Sequence, residues 1–130
     1  MKKIKSFKKF NIPDSIQKII EDYVYGMNQA NEKKILKVFD INSEIVGFFD
    51  DKSYLINGKE FSKFISKQES LNEEQIRKLK YEIIHYEISK KSCIIVIKNF
   101  FLNRIFFDTL HVIKEKNKWK IKKKIFLNTF

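Results

Sequence analysis

The chain predicts an α+β fold, with helices packed on one face of a curved, mainly antiparallel sheet. Three observations carry this. Helical periodicity opens the chain, where Ile16, Ile19, Ile20, Tyr23 and Met27 recur at i, i+3, i+4, i+7 and i+11. Period-two alternation takes over after residue 80. The C-terminal run RIFFDTLHVIKEKNKWKIKKKIF, residues 104–126, reads as two long strands joined at Lys116-Asn117-Lys118.

The elements follow in order. Residues 1–11 read as a flexible basic arm. Pro13 suits a first helical turn, and Asp14 with Gln17 has capping-box spacing. Gly26 inside that helix costs about 1 kcal/mol against Ala, which implies close packing there. Asn31 caps a short second helix, Glu32 to Phe39. Ile45 to Phe49 and Ser53 to Ile56 form a hairpin around Asp50-Asp51, ended by Asn57-Gly58. A third helix, about 59–67, buries Phe61, Phe64 and Ile65. LNEEQIRKLK, residues 71–80, is either a loose helix capped by Asn72 or a mobile flap. Tyr81 to Ser89 alternates as a strand, with Ile84, Tyr86 and Ile88 on one face and Ile83 and His85 on the other. Ser92 to Lys98 is apolar on both faces, which predicts a central strand covered on both sides. Asn99 to Asn103 bends or turns. In the final hairpin, Phe106, Asp108, Leu110 and Val112 share one face, set against Trp119, Ile121 and Ile125. Residues 12–130 thus make one domain, without repeat or linker.

Composition narrows the function classes. A chain of 130 residues suffices for one domain that buries roughly two-thirds of its unfolded surface. Its lone cysteine, Cys93, excludes an internal disulfide and sits in the apolar run CIIVI. No run reaches membrane-spanning length, and the basic N-terminus lacks a following apolar segment, so the expected location is the cytoplasm. The net charge of +11 is unevenly placed. Residues 1–10 carry +5, residues 114–130 carry +6, and the body between is neutral. Only Arg77 and Arg104 are arginines, and Gly, Pro and Ala are scarce, so AT-rich codon usage accounts for much of the lysine. Lysine tails argue weakly for nucleic acid, which is not an expected partner. No phosphate loop, nucleophile motif or metal-ligand spacing occurs, so no cofactor and no metal is expected.

YVYGMNQANEKKILKVFDINSEIVGF, INGKEFSKFI and FFDTLHVIKEKNKWKIKKKIF together resemble the nuclear-transport-factor-two-like superfamily, nearest its lumazine-binding-like and SnoaL-like branch. The matching features are Tyr23, Gly26, Phe39, Gly58, Asp108, Trp119, Ile121 and Lys124, in that order along nearly the whole chain. Asn31 stands where the family often has Asp, and Lys118 follows Asn117 where it often has Gly. The resemblance implies a strongly curved, cone-shaped domain with an internal pocket and a homodimer formed through the sheet. It implies no single activity, because the superfamily holds both enzymes and binding proteins.

Asp108 is the residue on which chemistry would turn. A carboxylate among apolar neighbours needs a partner, water or a raised pKa. It is either a general base, with Tyr23 or a histidine as acid, or a structural acid bonded to Tyr23 or paired with Lys124. His111 falls on the opposite face, which removes an Asp108–His111 dyad. Tyr23, Phe48, Tyr54, Phe64, His85, Asp108, Trp119 and Lys124 are the candidate pocket residues, suited to a small apolar or aromatic ligand. Lys118, Lys120, Lys122 and Lys124 share a strand face and read as either an anion surface or a solvated face. Three functions remain open: a small-molecule-binding domain, an isomerase, cyclase or dehydratase working by proton transfer, and an acidic-surface or nucleic-acid binder using the basic ends.

Overall fold

The computed structural model describes residues 10–128. Most of the expected basic arm, residues 1–9, lies outside the described residues. Phe10 packs edge-on against Tyr86, with ring centroids 6.5 Å apart.

Four helices and six strands follow in the order α1 (Asp14–Asn28), α2 (Glu32–Val38), β1 (Phe39–Phe49), β2 (Lys52–Asn57), α3 (Gly58–Ser66), α4 (Glu73–Arg77), β3 (Tyr81–Ile88), β4 (Ser92–Phe101), β5 (Arg104–Glu115) and β6 (Lys118–Asn128). The sheet order is β2-β1-β6-β5-β4-β3, open at both edges. Every neighbouring pair is antiparallel except β1 with β6. The helices cover one face, and the core lies between them and the sheet, centred on Tyr23, Phe39, Ile35, Ile95, Leu110 and Ile121. No helix among the described residues is long and apolar enough to cross a membrane.

Local chemistry explains most boundaries. Asn31, Asn57 and Asn72 each accept a backbone N–H three residues on, opening α2, α3 and α4. At α3 and α4 the bond is returned by Glu60 and Gln75, completing capping boxes. The polar stretch after residue 70 therefore resolves as a short capped helix. The Asp14–Gln17 box does not form. Pro13 caps α1 without a side-chain bond, and Gln17 donates instead to Tyr81 Oη at 3.0 Å. Gly26 is packed closely, since a Cβ there would sit 3.1 Å from Ile35 Cδ1 and from Lys34 Cβ. Lys116 and Asn117 both take positive φ (51° and 63°), which closes the β5–β6 hairpin in two residues. Leu102 and Asn103 close β4–β5 in the same way, which places the turn expected within Asn99 to Asn103 at its end and lets β4 run on to Phe101.

Three expectations about strand faces are overturned. On β3 an irregularity between Ile83 and His85 puts Ile83, paired with Ile97, on the same inward face as Tyr86, paired with Ile95, while Ile84 is exposed. β4 is covered on one side only: Cys93, Ile95, Ile97, Asn99 and Phe101 are buried, while Ile94 and Phe100 are exposed on the face away from the helices. β6 does not alternate cleanly. Val112 pairs with Ile121 and His111 with Lys123, which leaves Lys122 as a bulge. The extra residue shifts the phase. Trp119 and Ile121 face the helices as expected, but beyond the bulge Lys124 and Phe126 face inward and Ile125 points out. The four lysines therefore do not share a face.

Candidate functional site

The inward face of the sheet and the helices above it enclose an apolar cavity of about 210 Å³. β5 and β6 build its floor with Phe106, Asp108, Lys124 and Phe126. β1 and β2 add Ile45, Phe49, Tyr54 and Ile56. β4 and the turn after it add Asn99, Phe101 and Leu102. The helices supply Met27, Glu60, Phe61 and Phe64. The rings form a continuous aromatic wall: Phe106 packs on Phe49, Phe101 and Phe126 at 5.9, 6.2 and 6.1 Å, and Phe126 on Tyr54 at 6.4 Å. Arg104 lies over Phe49, 4.8 Å from its centroid, and pairs with Asp50.

Besides the exposed Glu60, three buried polar side chains interrupt this wall: Asp108, Asn99 and Lys124. Asp108 Oδ2 accepts two bonds, from Tyr23 Oη at 2.6 Å and from Asn99 Nδ2 at 2.8 Å. Those donors fix the carboxylate against β5 and leave Oδ1 with no hydrogen-bond partner among the described residues. Asn99 Oδ1 is likewise buried and unpaired. Its amide orientation follows from its partner, because an ionised carboxylate only accepts. Burial, with the Asp108 charge and hydrogen bond adding to it, pushes the Tyr23 phenol well above its ordinary 10.0. Tyr23 thus holds its proton on Asp108.

Lys124 is the least ordinary of the three. Among the described residues no carboxylate oxygen lies within 4.0 Å of its ammonium. It sits instead over the rings of Phe61, Tyr23 and Phe126, at 4.3, 5.0 and 5.4 Å, with Met27 Sδ at 3.8 Å. Burial lowers its pKa, and the Asp108 charge partly restores it. Cation–π attraction replaces some of the hydration lost on burial. Asp108 and Lys124 thus both line the cavity without forming an ion pair within 4.0 Å.

Of the candidate pocket residues, Tyr54, Phe64, Asp108 and Lys124 line the cavity. Tyr23 does not reach the wall; it supports Asp108 from the helix layer. Phe48, His85 and Trp119 are corrections. Phe48 points to the opposite sheet face and is 61% exposed. His85 lies on β3, half exposed, 3.6 Å from Glu87. Trp119 is half-buried beneath Lys114, at the far end of β6 from the cavity. His111 is on the outer face, bonded to Ser92 Oγ at 2.9 Å. Asn99 was missed, although it continues the inward parity of Cys93, Ile95 and Ile97. Phe126 was missed because the bulge conceals its phase.

Three other C-terminal lysines are engaged. Lys122 bridges Asp40 and Glu115, both at 2.7 Å, Lys123 reaches Glu44 at 3.4 Å, and Lys120 donates to the carbonyl of Lys37 at 2.8 Å. Cys93 is buried, and burial pushes its thiol up to about 11.

Helices laid across a six-stranded, mostly antiparallel open sheet around such a cavity define a domain of the nuclear-transport-factor-two-like class. Within that class, the chain belongs to the family described as "Putative lumazine-binding", whose model matches residues 12–127. No curated protein matches the sequence. Solved structures with the same fold include an NTF-2 like protein of unknown function from Silicibacter pomeroyi, with TM-score 0.80 and 15% identity over 88% of this chain and 93% of that one. Another, from Shewanella baltica, has TM-score 0.76 and 17% identity over 92% and 99%. A third, from Methylobacillus flagellatus, has TM-score 0.71 and 20% identity over 94% and 97%. At these identities the likeness concerns the fold.

Proposed function

We propose that this domain binds a small apolar molecule, one or two rings in size, in the aromatic cavity. The observation that carries the reading is the cavity itself: about 210 Å³, walled mainly by Phe and Ile side chains, with few polar groups among them. A dry apolar cavity of ~150 Å³ already admits benzene. The test is native purification, extraction and mass spectrometry, alongside an Ile45→Phe variant that fills the cavity. A near-stoichiometric compound present in the wild type and lost from the variant supports the reading. A folded wild type carrying nothing, and taking up no apolar probe, sinks it.

A second reading is proton transfer, favoured by one fact: among the described residues one carboxylate oxygen of Asp108, a cavity-lining residue, has no hydrogen-bond partner. Asp108 would be the base. Tyr23 already donates to it, so it is positioned to hold the base rather than to protonate a ligand. Deuterium wash-in at the α-carbon of an apolar ketone such as 2-indanone tests this. Exchange no faster than in the Asp108→Asn variant ends the reading.

A second copy of the chain is the proposed partner for the outer sheet face. Phe48, Leu55, Ile94, Phe100, Ile125 and Leu127 are all exposed there, from 43% for Ile94 to 73% for Leu55. An apolar surface of this kind marks an interaction site. Light scattering should give a dimer, and Leu55→Lys with Ile125→Lys a monomer; a monomeric wild type refutes it. Cytoplasmic residence belongs to the same proposal, and cell fractionation checks it.

A further inference from the structure

The buried polar groups of the cavity carry a more specific message than its apolar walls. Buried polar atoms in folded proteins are almost always paired. Among the described residues two acceptors here, Asp108 Oδ1 and Asn99 Oδ1, have no donor, and Lys124 has no oxygen acceptor. All three residues line one cavity, and each is more than nine-tenths buried. The missing partner must supply two donors and one acceptor. A neutral partner adds no further charge to a cavity that Asp108, Lys124 and Glu60 already line.

We propose that the ligand carries a neutral primary carboxamide on a one- or two-ring apolar body. Its N–H groups meet Asp108 Oδ1 and Asn99 Oδ1, and its carbonyl accepts from Lys124 Nζ. This rests on the cavity-binding reading and deepens it. Other head groups fail on identifiable grounds. A carboxylate brings no donor and is repelled by Asp108. An ammonium satisfies Asp108 but adds a second buried cation beside Lys124. A hydrocarbon leaves all three groups unpaired. Water offers the same donors and acceptor but leaves the apolar remainder of the cavity unfilled. Both oxygens are sealed from solvent, so contact requires a small side-chain rotation, which a flat and compact amide demands least.

Isothermal titration of the full chain with toluene, benzamide, benzoate and benzylamine tests this. The four share one ring and differ only in the head group. Benzamide should bind at least about tenfold more tightly than the other three, the worth of one charge-assisted hydrogen bond. Lys124→Met should lower the benzamide-to-toluene affinity ratio, because it removes the donor to the amide carbonyl. Asn99→Leu should lower the same ratio, which covers a failure of the first variant to fold. Toluene and benzamide binding within about threefold of each other overturns the head-group proposal and leaves the cavity reading standing. Benzoate or benzylamine as the tightest ligand also overturns it. No binding by any of the four overturns the cavity reading together with it.

Discussion

Replacing Tyr23 by Phe removes one oxygen from the centre of the site. The ring is fully buried and packs 5.8 Å from Phe39, and Phe keeps that packing, so no void of ring size opens. What is lost is the 2.6 Å bond to Asp108 Oδ2. Asp108 then keeps Asn99 as its one donor, on a carboxylate that water does not reach. A hydrogen bond to a charged group contributes about 1.5–3 kcal/mol, and leaving the acceptor short of donors lies at the upper end. For a chain of this length each kcal/mol moves Tm by about 4 °C, so Tyr23→Phe should lower Tm by about 6–12 °C at pH 7. Urea titration and calorimetry measure it, and a double-mutant cycle with Asp108→Asn isolates the pair. The pH dependence has a definite sign. The folded-state pKa of Tyr23 is raised above 10.0, so above that pH the unfolded chain releases a proton that the folded chain keeps. Wild-type stability therefore falls as pH rises past 10, and the gap to Tyr23→Phe narrows there. A cost below about 0.5 kcal/mol, or a gap that widens above pH 10, refutes the view of Tyr23 as the support of Asp108.

Three further outcomes are expected. Gly47→Ala places a Cβ 2.4 Å from the Phe126 carbonyl oxygen and 2.6 Å from its ring, so it should cost about 1–3 kcal/mol in urea unfolding and displace Phe126 from the cavity wall. Asn57→Ala removes the capping box of α3 and should cost about 1 kcal/mol, while Asn57→Asp, which can still accept from Glu60 N, should cost less. Lys122→Met breaks the bridge to Asp40 and Glu115 and should cost about 0.5–1 kcal/mol at pH 7. Because the Lys122 hydrogen bond holds the Asp40 pKa below 3.8, that contribution is present above 3.8 and disappears as pH falls through the lowered value. Acid titration of both proteins should show the gap closing below 3.8.

Periodicity and capping chemistry made much of the architecture legible. The stripe from Ile16 to Met27 announced α1, Asn31 announced α2, and Lys116-Asn117 announced the last hairpin. Asp108 could be placed on an inward face from its neighbours alone, because β5 is regular through that point. Where the reading failed, a single residue usually intervened. Lys122 bulges, and every side chain after it on β6 changes face. Asn57 was read as a strand breaker, although with Glu60 it spells the capping box that starts α3.

Local rules act over three or four residues, so the sequence by itself could determine the α+β order, the turns, the inward acid and the superfamily. Pairing between distant strands obeys no such local rule. Register, the parallel β1–β6 contact and the bulge decided which aromatic rings meet, that Lys124 turns inward toward Asp108, and that Phe48, His85 and Trp119 stay outside the cavity. A one-residue change of phase carries a side chain from water to core, and only long-range packing selects between the two.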